Sequence, residues 1–141
     1  MPGKKEIKVI IDTNLFISFL VGKRLSGLKE HLVNFRVRLL FSKQILEELD
    51  KVTKRPKLQK YFNDADVIEL INLVKLIGEE ISTGKPTEIC RNPKDDFLLD
   101  IAARGNANYL ITGDHDLLEI NKYRKTKIIS YLEFEKILAE I

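Results

Sequence analysis

The chain has 141 residues, the size of one compact domain with a sizeable core, and a single domain over residues 1–141 is expected. Lys plus Arg number 24 against 21 for Asp plus Glu, and a net charge of +3 does not by itself imply a nucleic-acid partner. Cys90 is the only cysteine, which excludes an intramolecular disulfide and a cysteine-built metal centre and suits a reducing cytoplasm.

In chain order, "MPGKKEIK" lacks the apolar stretch of a signal peptide, and no later apolar run could span a bilayer. A soluble, cytoplasmic protein without membrane partners is expected. "EIKVIID" (Glu6 to Asp12) reads as a buried, β-branched strand. A helix follows from Asn14 to about Gly22, and a second over Leu25 to Phe35, with Leu25, Leu28, Leu32 and Phe35 at helical spacing. "VRLLFS" (Val37 to Ser42) is a strand whose Ser42 can cap the helix "KQILEELDKVTKR", interrupted at Pro56. "PKLQKYF" reads as a short helix or turn. Asp64 can cap an amphipathic helix running through "ADVIELINLVKLIGEE". "STGKP" is a loop, and "TEICRNP" reads as a short strand or an extended connector. "KDDFLLDIAARGNA" is a helix with Gly105 as its stop. "NYLITGD" is another buried strand, "HDLLEI" a helical turn, "TKIISY" (Thr126 to Tyr131) the last strand and "LEFEKILAEI" a closing helix. Strands alternating with helices predict an α/β fold: a three-layer α/β/α sandwich around a mostly parallel sheet.

In such a sheet, function gathers at the carboxyl ends of the strands. The first strand ends in Asp12, followed by Thr13 and Asn14. The "NYLIT" strand ends in Thr112, Gly113, Asp114, His115 and Asp116. Each acid taken alone would be read as the cap of the next helix, since Asp is a good N-cap. Two such ends, with Asp116 as a further acid, favour a site. Glu47 and Glu48 lie early in the helix after the second strand, Glu48 nearer its buried face and Glu47 nearer solvent. Asp95 and Asp96 open another helix, where the helix dipole also favours them. Four carboxylates from Asp12, Glu48, Asp95 and Asp114 in one pocket would repel unless protonated or bridged by a cation. Oxygen-only ligands select Mg²⁺ or Mn²⁺ over zinc, and the chain has no HExxH motif. Acidic sites of this kind commonly hydrolyse phosphodiesters.

"IDTNLFIS", "SKQILEEL", "NPKDDFLLDIA" and "YLITGDHDLL", in this order, together resemble the PIN domain. The nearest branch is the prokaryotic one of toxin components of toxin–antitoxin pairs, the VapC-like ribonucleases, and the resemblance covers nearly the whole chain. It implies a parallel-sheet α/β sandwich and Mg²⁺- or Mn²⁺-dependent cleavage of RNA. Asp12 matches the first acid of the family, with Thr13 and Asn14 as its polar neighbours. Glu48 matches the glutamate before Leu in the helix motif, and Asp95 the acid of the "PxD" segment, with Asp96 the alternative. Asp114 matches the acid after Thr112–Gly113, and Asp116 the acid two residues on. Asn92 departs from the pattern, which there more often has Asp. A cognate antitoxin and a homodimer are the partners that the resemblance implies.

Two basic runs follow these acids in the sequence: Lys51, Lys54, Arg55, Lys57 and Lys60, and Lys122, Arg124, Lys125 and Lys127 around Tyr123. Both could hold RNA phosphates beside a metal pocket, or simply form solvated faces. Two other readings stand beside the ribonuclease. One is a metal-dependent phosphatase, against which Asn14 speaks, since the haloacid-dehalogenase pattern has Asp at that place. The other is a non-catalytic RNA- or protein-binding module, which the full set of acids disfavours.

Overall fold

The computed structural model describes residues 6–22, 25–34, 37–82 and 93–140, leaving out the side chains of 25, 31, 34 and 93–96. The described elements run β1 (Ile7–Ile11), α1 (Thr13–Val21), α2 (Leu25–Asn34), β2 (Val37–Phe41), α3 (Lys43–Thr53), α4 (Asp64–Ile77) and β3 (Gly78–Glu80). They continue with α5 (Pro93–Gly105), β4 (Tyr109–Ile111), α6 (His115–Ile120), β5 (Lys122–Tyr123), β6 (Thr126–Ile129) and α7 (Tyr131–Ala139).

Apolar runs without alternation, such as Val9–Ile11 and Leu39–Phe41, suit strands covered on both faces. They build one six-stranded sheet in the order β3-β2-β1-β4-β6-β5, parallel except for the β5–β6 hairpin. Right-handed crossovers from β1 to β2 to β3 set α1–α4 on one face, where α2 meets α4 and α1 meets α3. The chain then returns past β1 to reach β4, and α5 packs on β1, β2 and β4 from the other face. The direction of winding therefore reverses between β1 and β4. A crevice at the carboxyl ends of those two strands is where an open α/β sheet binds its ligands.

The structure corrects several expected boundaries. The helix expected to run through Glu80 stops at Ile77, and Gly78–Glu80 pairs with Leu39–Phe41 as edge strand β3. Gly78 has no room for a side chain: an added Cβ would collide with the Val74 carbonyl oxygen and lie 2.7 Å from the Phe41 ring. The cap of α4 is Asn63, in a reciprocal pair with Asp66, one residue before the expected Asp64. Gly105 lies within α5, and the left-handed residue after it is Asn106 (φ 53°). A Cβ at Gly105 would come within 2.6 Å of Leu40 Cδ1, so the Leu40 side chain would have to shift. The segment after Pro56 is a turn. Lys122–Tyr123 forms a strand that the sequence does not suggest. The connector expected over "TEICRNP" lies outside the described residues apart from Pro93, where α5 begins. Among the described residues no helix is long and apolar enough to cross a membrane.

Candidate active site

The parallel ladder continues one residue beyond the strands at the switch point. Asp12 N–H donates to the Ile111 carbonyl at 3.0 Å, and Thr112 N–H to the Ile129 carbonyl at 3.0 Å. This register brings together side chains one hundred residues apart. The Thr112 hydroxyl donates to Asp12 Oδ2 at 2.7 Å and accepts the Asp114 N–H at 3.0 Å. Thr112 is fully buried and Asp12 only 6% exposed, so the Asp12 charge has little water to stabilise it.

The cap and the site are not alternatives here. Asp12 itself is the N-cap of α1, its Oδ1 accepting the Asn14 N–H at 3.2 Å, which corrects the assignment of the helix start to Asn14. Asp114 likewise caps α6 through Oδ2 and the Leu117 N–H at 3.3 Å. Its Oδ1 accepts no hydrogen bond among the described residues. Burial pushes the Asp12 carboxyl above its usual range, the bonds from Thr112 and the Asn14 N–H pull it back, and the Asp114 charge raises it again. A buried carboxylate with a second one beside it favours a cation between them.

Asp12, Asn14, Leu15, Ser18, Gly113 and Asp114 line a cavity of about 330 Å³. Ser18 and Leu15 are absent from the candidates read from the sequence, though Ser18 lies one turn beyond Asn14 on the same helical face, a spacing that could have marked it. A second cavity, of about 280 Å³, is lined by Gln44, Glu47, Glu48, Lys51, Val52, Arg55 and Phe97. Glu48 is half-buried and accepts a long hydrogen bond (3.4 Å) from the buried Thr13 hydroxyl, while Glu47 is exposed. Thr13 thus ties α3 to the residue following Asp12. Asp116, in the first turn of α6, is half-buried and lines neither cavity. Asp95 and Asp96 are in the first turn of α5, and their side chains lie outside the described ones. Phe97, the next residue, is in the Glu48 cavity.

The structure therefore brings Asp12 and Asp114 into one cavity and places Glu48 in the other. Among the described residues no three acids, histidines or cysteines stand close enough to hold a metal by themselves. The donors present, buried or half-buried carboxylate oxygens with no soft ligand among them, suit Mg²⁺ or Mn²⁺. The second basic run is not beside the site. Lys127 pairs with Tyr109 and Ile129 with Ile111, so the Arg124–Lys125 turn, which precedes β6, lies at the opposite end of the sheet from Asp12.

The sequence model of the PIN domain matches residues 8–116, a span that includes Asp12, Glu48, Asp95, Asp114 and Asp116. An uncharacterized protein of Methanocaldococcus jannaschii is 33% identical over 133 residues, covering 86% of this chain and 82% of that protein. Among solved structures, a chain of VapBC2 from Rickettsia felis, bound to a DNA fragment from their promoter, shares the fold. The TM-score is 0.54 at 15% identity, with 86% of this chain and 97% of that one covered. With the order of its acidic motifs, the switch-point site and these likenesses in agreement, the chain belongs to the PIN-domain family.

Proposed function

We propose that this chain is a divalent-metal-dependent ribonuclease, the toxin component of a toxin–antitoxin pair. PIN domains are generally nucleases that use divalent metals. The observation that carries the reading is the pair of carboxylates, Asp12 and Asp114, in one cavity at the carboxyl ends of β1 and β4. Asp12 and Asp114 would hold Mg²⁺ or Mn²⁺ first, with Glu48 and Asp95 completing the ligand set only if the substrate or the ion draws them in, and Asp116 as a further ligand or the holder of a water. When bound, the ion supplies water activation and neutralises the charge that develops on the phosphate.

The chain's own part is preorganisation. Thr112 and the start of α1 fix both oxygens of Asp12, so its carboxylate needs no reorientation to meet a cation. The α6 cap fixes one oxygen of Asp114, leaving Oδ1 for the ion. Thr13 ties Glu48 to the start of α1, next to Asp12. Asn14 and Ser18 offer polar groups to a nucleotide in the Asp12 cavity.

The test is cleavage of RNA by purified protein with Mg²⁺ or Mn²⁺, wild type against Asp12→Asn, with folding checked by thermal unfolding. Cleavage by wild type alone supports the reading, and equal cleavage by both overturns it. The likeness to VapBC2 supports a cognate antitoxin, and co-expression with a small DNA-binding neighbour should suppress the cleavage.

A further inference from the structure

We propose that the substrate's phosphate backbone leaves the acidic site along α3, held by Lys51 and Arg55, and does not touch the basic β5–β6 hairpin. The inference rests on the nuclease reading and adds to it the path of the substrate. The two basic runs look equivalent in the sequence, and the fold separates them.

On α3, Gln44, Glu48 and Lys51 recur at spacings of four and three residues, one helical stripe, and Arg55 follows just past the C-cap Lys54. All four line the same cavity, with Phe97 opposite from α5. Lys51 stands about 4.5 Å along the helix axis from Glu48, and Arg55 lies further on, past the end of the helix. Two cations in file beginning at an acid of the site can therefore meet successive phosphates of one strand.

Of the other cations of this run two are engaged elsewhere, and the third, Lys57, is in the turn after Pro56 and does not line this cavity. Lys54 pairs with Asp50 at 3.1 Å, and Lys60 lies over the Tyr61 ring at 5.2 Å. The side chains of Lys51 and Arg55 make no hydrogen bond or ion pair among the described residues. That holds for Lys51 even though Glu47 sits one turn before it, the order that favours a helix ion pair. Among the described residues nothing else engages their charge.

The hairpin offers the contrary case. Lys122 pairs with Lys127 across it, and Arg124 folds over the Tyr123 ring at 5.6 Å. Its tip is at the end of the sheet away from Asp12. A strand bound in the Asp12 cavity would have to cross the length of the sheet to reach it.

Two doubly substituted proteins with the same change in charge separate the two paths: Lys51→Glu/Arg55→Glu and Arg124→Glu/Lys125→Glu. Binding of a labelled single-stranded RNA is followed by fluorescence anisotropy in the Asp12→Asn background, so that cleavage is not needed, and KM and kcat are measured in the parent. The α3 pair should weaken binding at least tenfold, raise KM more than it lowers kcat, and flatten the log–log salt dependence by about 1.4, or ~0.7 for each phosphate no longer neutralised. The hairpin pair should stay within about twofold of the parent, because screening weakens its charge over that distance. Equal losses from both pairs, or none from the α3 pair, overturn the proposal. Lys51→Gln/Arg55→Gln repeats the test should the reversals disturb folding. RNA binding weakened in the α3 pair while wild type cleaves nothing would overturn the nuclease reading and leave the path standing.

Discussion

Replacing Thr112 by Val keeps the shape of a fully buried side chain and deletes one hydroxyl. That hydroxyl donates to Asp12 Oδ2 at 2.7 Å and accepts the Asp114 N–H at 3.0 Å. A hydrogen bond to a charged partner contributes about 1.5–3 kcal/mol, whereas the half-buried Asp114 amide can turn to water at a cost of at most ~1 kcal/mol. The expected loss is therefore about 2 kcal/mol at neutral pH, or roughly 6 °C in Tm for a chain of this length. The loss should depend on pH. Burial already raises the Asp12 carboxyl, and the Thr112 bond opposes that by favouring the charged form, so the variant's carboxyl rises further. A group raised in the folded state contributes stability that is fully present below its unfolded value and is lost as pH rises through the folded value. The variant, with the higher folded value, loses more over that climb. Its deficit should thus widen from acid to neutral pH, from about 1 kcal/mol, the worth of a neutral bond, to about 2. Urea unfolding with EDTA at about pH 3.5 and about pH 7.5 measures both ends, on either side of the usual carboxylate range. A deficit that is the same at both values, or below ~0.5 kcal/mol at neutral pH, would refute the claim that this hydroxyl holds the Asp12 charge.

Asp12→Asn removes the buried charge, so without metal it should be at least as stable as wild type above the raised carboxyl value and lose that advantage below the usual one; wild type more stable by over ~1 kcal/mol at neutral pH would contradict this. Gly113→Leu places a side chain where an added Cβ meets nothing within 4 Å, so stability should hold within ~0.5 kcal/mol while cleavage falls at least tenfold as the Asp12 cavity fills. Full activity in that variant would show that the substrate does not use the cavity. Gly78→Ala should cost about 2–3 kcal/mol in urea unfolding, because backbone at Val74 and the Phe41 ring must move, yet leave cleavage per folded molecule unchanged.

Much of this was legible because local signals and the fold agree. Val9–Ile11 and Leu39–Phe41 are apolar without alternation, which fits a strand with two covered faces and little else. Ser42 before Lys43 marked a helix start because its hydroxyl can serve the Ile45 N–H, and it does so at 3.4 Å. What failed lacked such a signal. Gly78–Glu80 and Lys122–Tyr123 are edge segments of three and two residues without a buried apolar run. Their strand character comes from the neighbour that they pair with. At Asp12 the cap and the pocket looked like rivals, but one carboxylate has two oxygens and enough lone pairs for Asn14, Thr112 and a cation.

The basic hairpin shows why nearness in sequence misleads in a parallel sheet. Every helix that follows a strand carries the chain back from the carboxyl edge toward the amino edge. From Asp114, the six residues of α6 descend roughly 9 Å and deliver Asn121 to the level of Ile128, where its carbonyl accepts the Ile128 N–H at 2.8 Å. Arg124 and Lys125 come after that descent, so ten residues suffice to remove them from the site. Asp12 and Thr112 stand one hundred residues apart and share a 2.7 Å hydrogen bond, because each ends a strand and the two strands are neighbours. In a fold of this class a residue's place relative to its own strand end therefore predicts membership of the site better than its distance along the chain from a residue already in it. By that rule Lys51 and Arg55 would also be suspect, since α3 descends from Ser42. What makes them candidates is that Glu48, itself half-way along α3, accepts a hydrogen bond from the hydroxyl of Thr13, the neighbour of Asp12, and lines one cavity with Lys51 and Arg55.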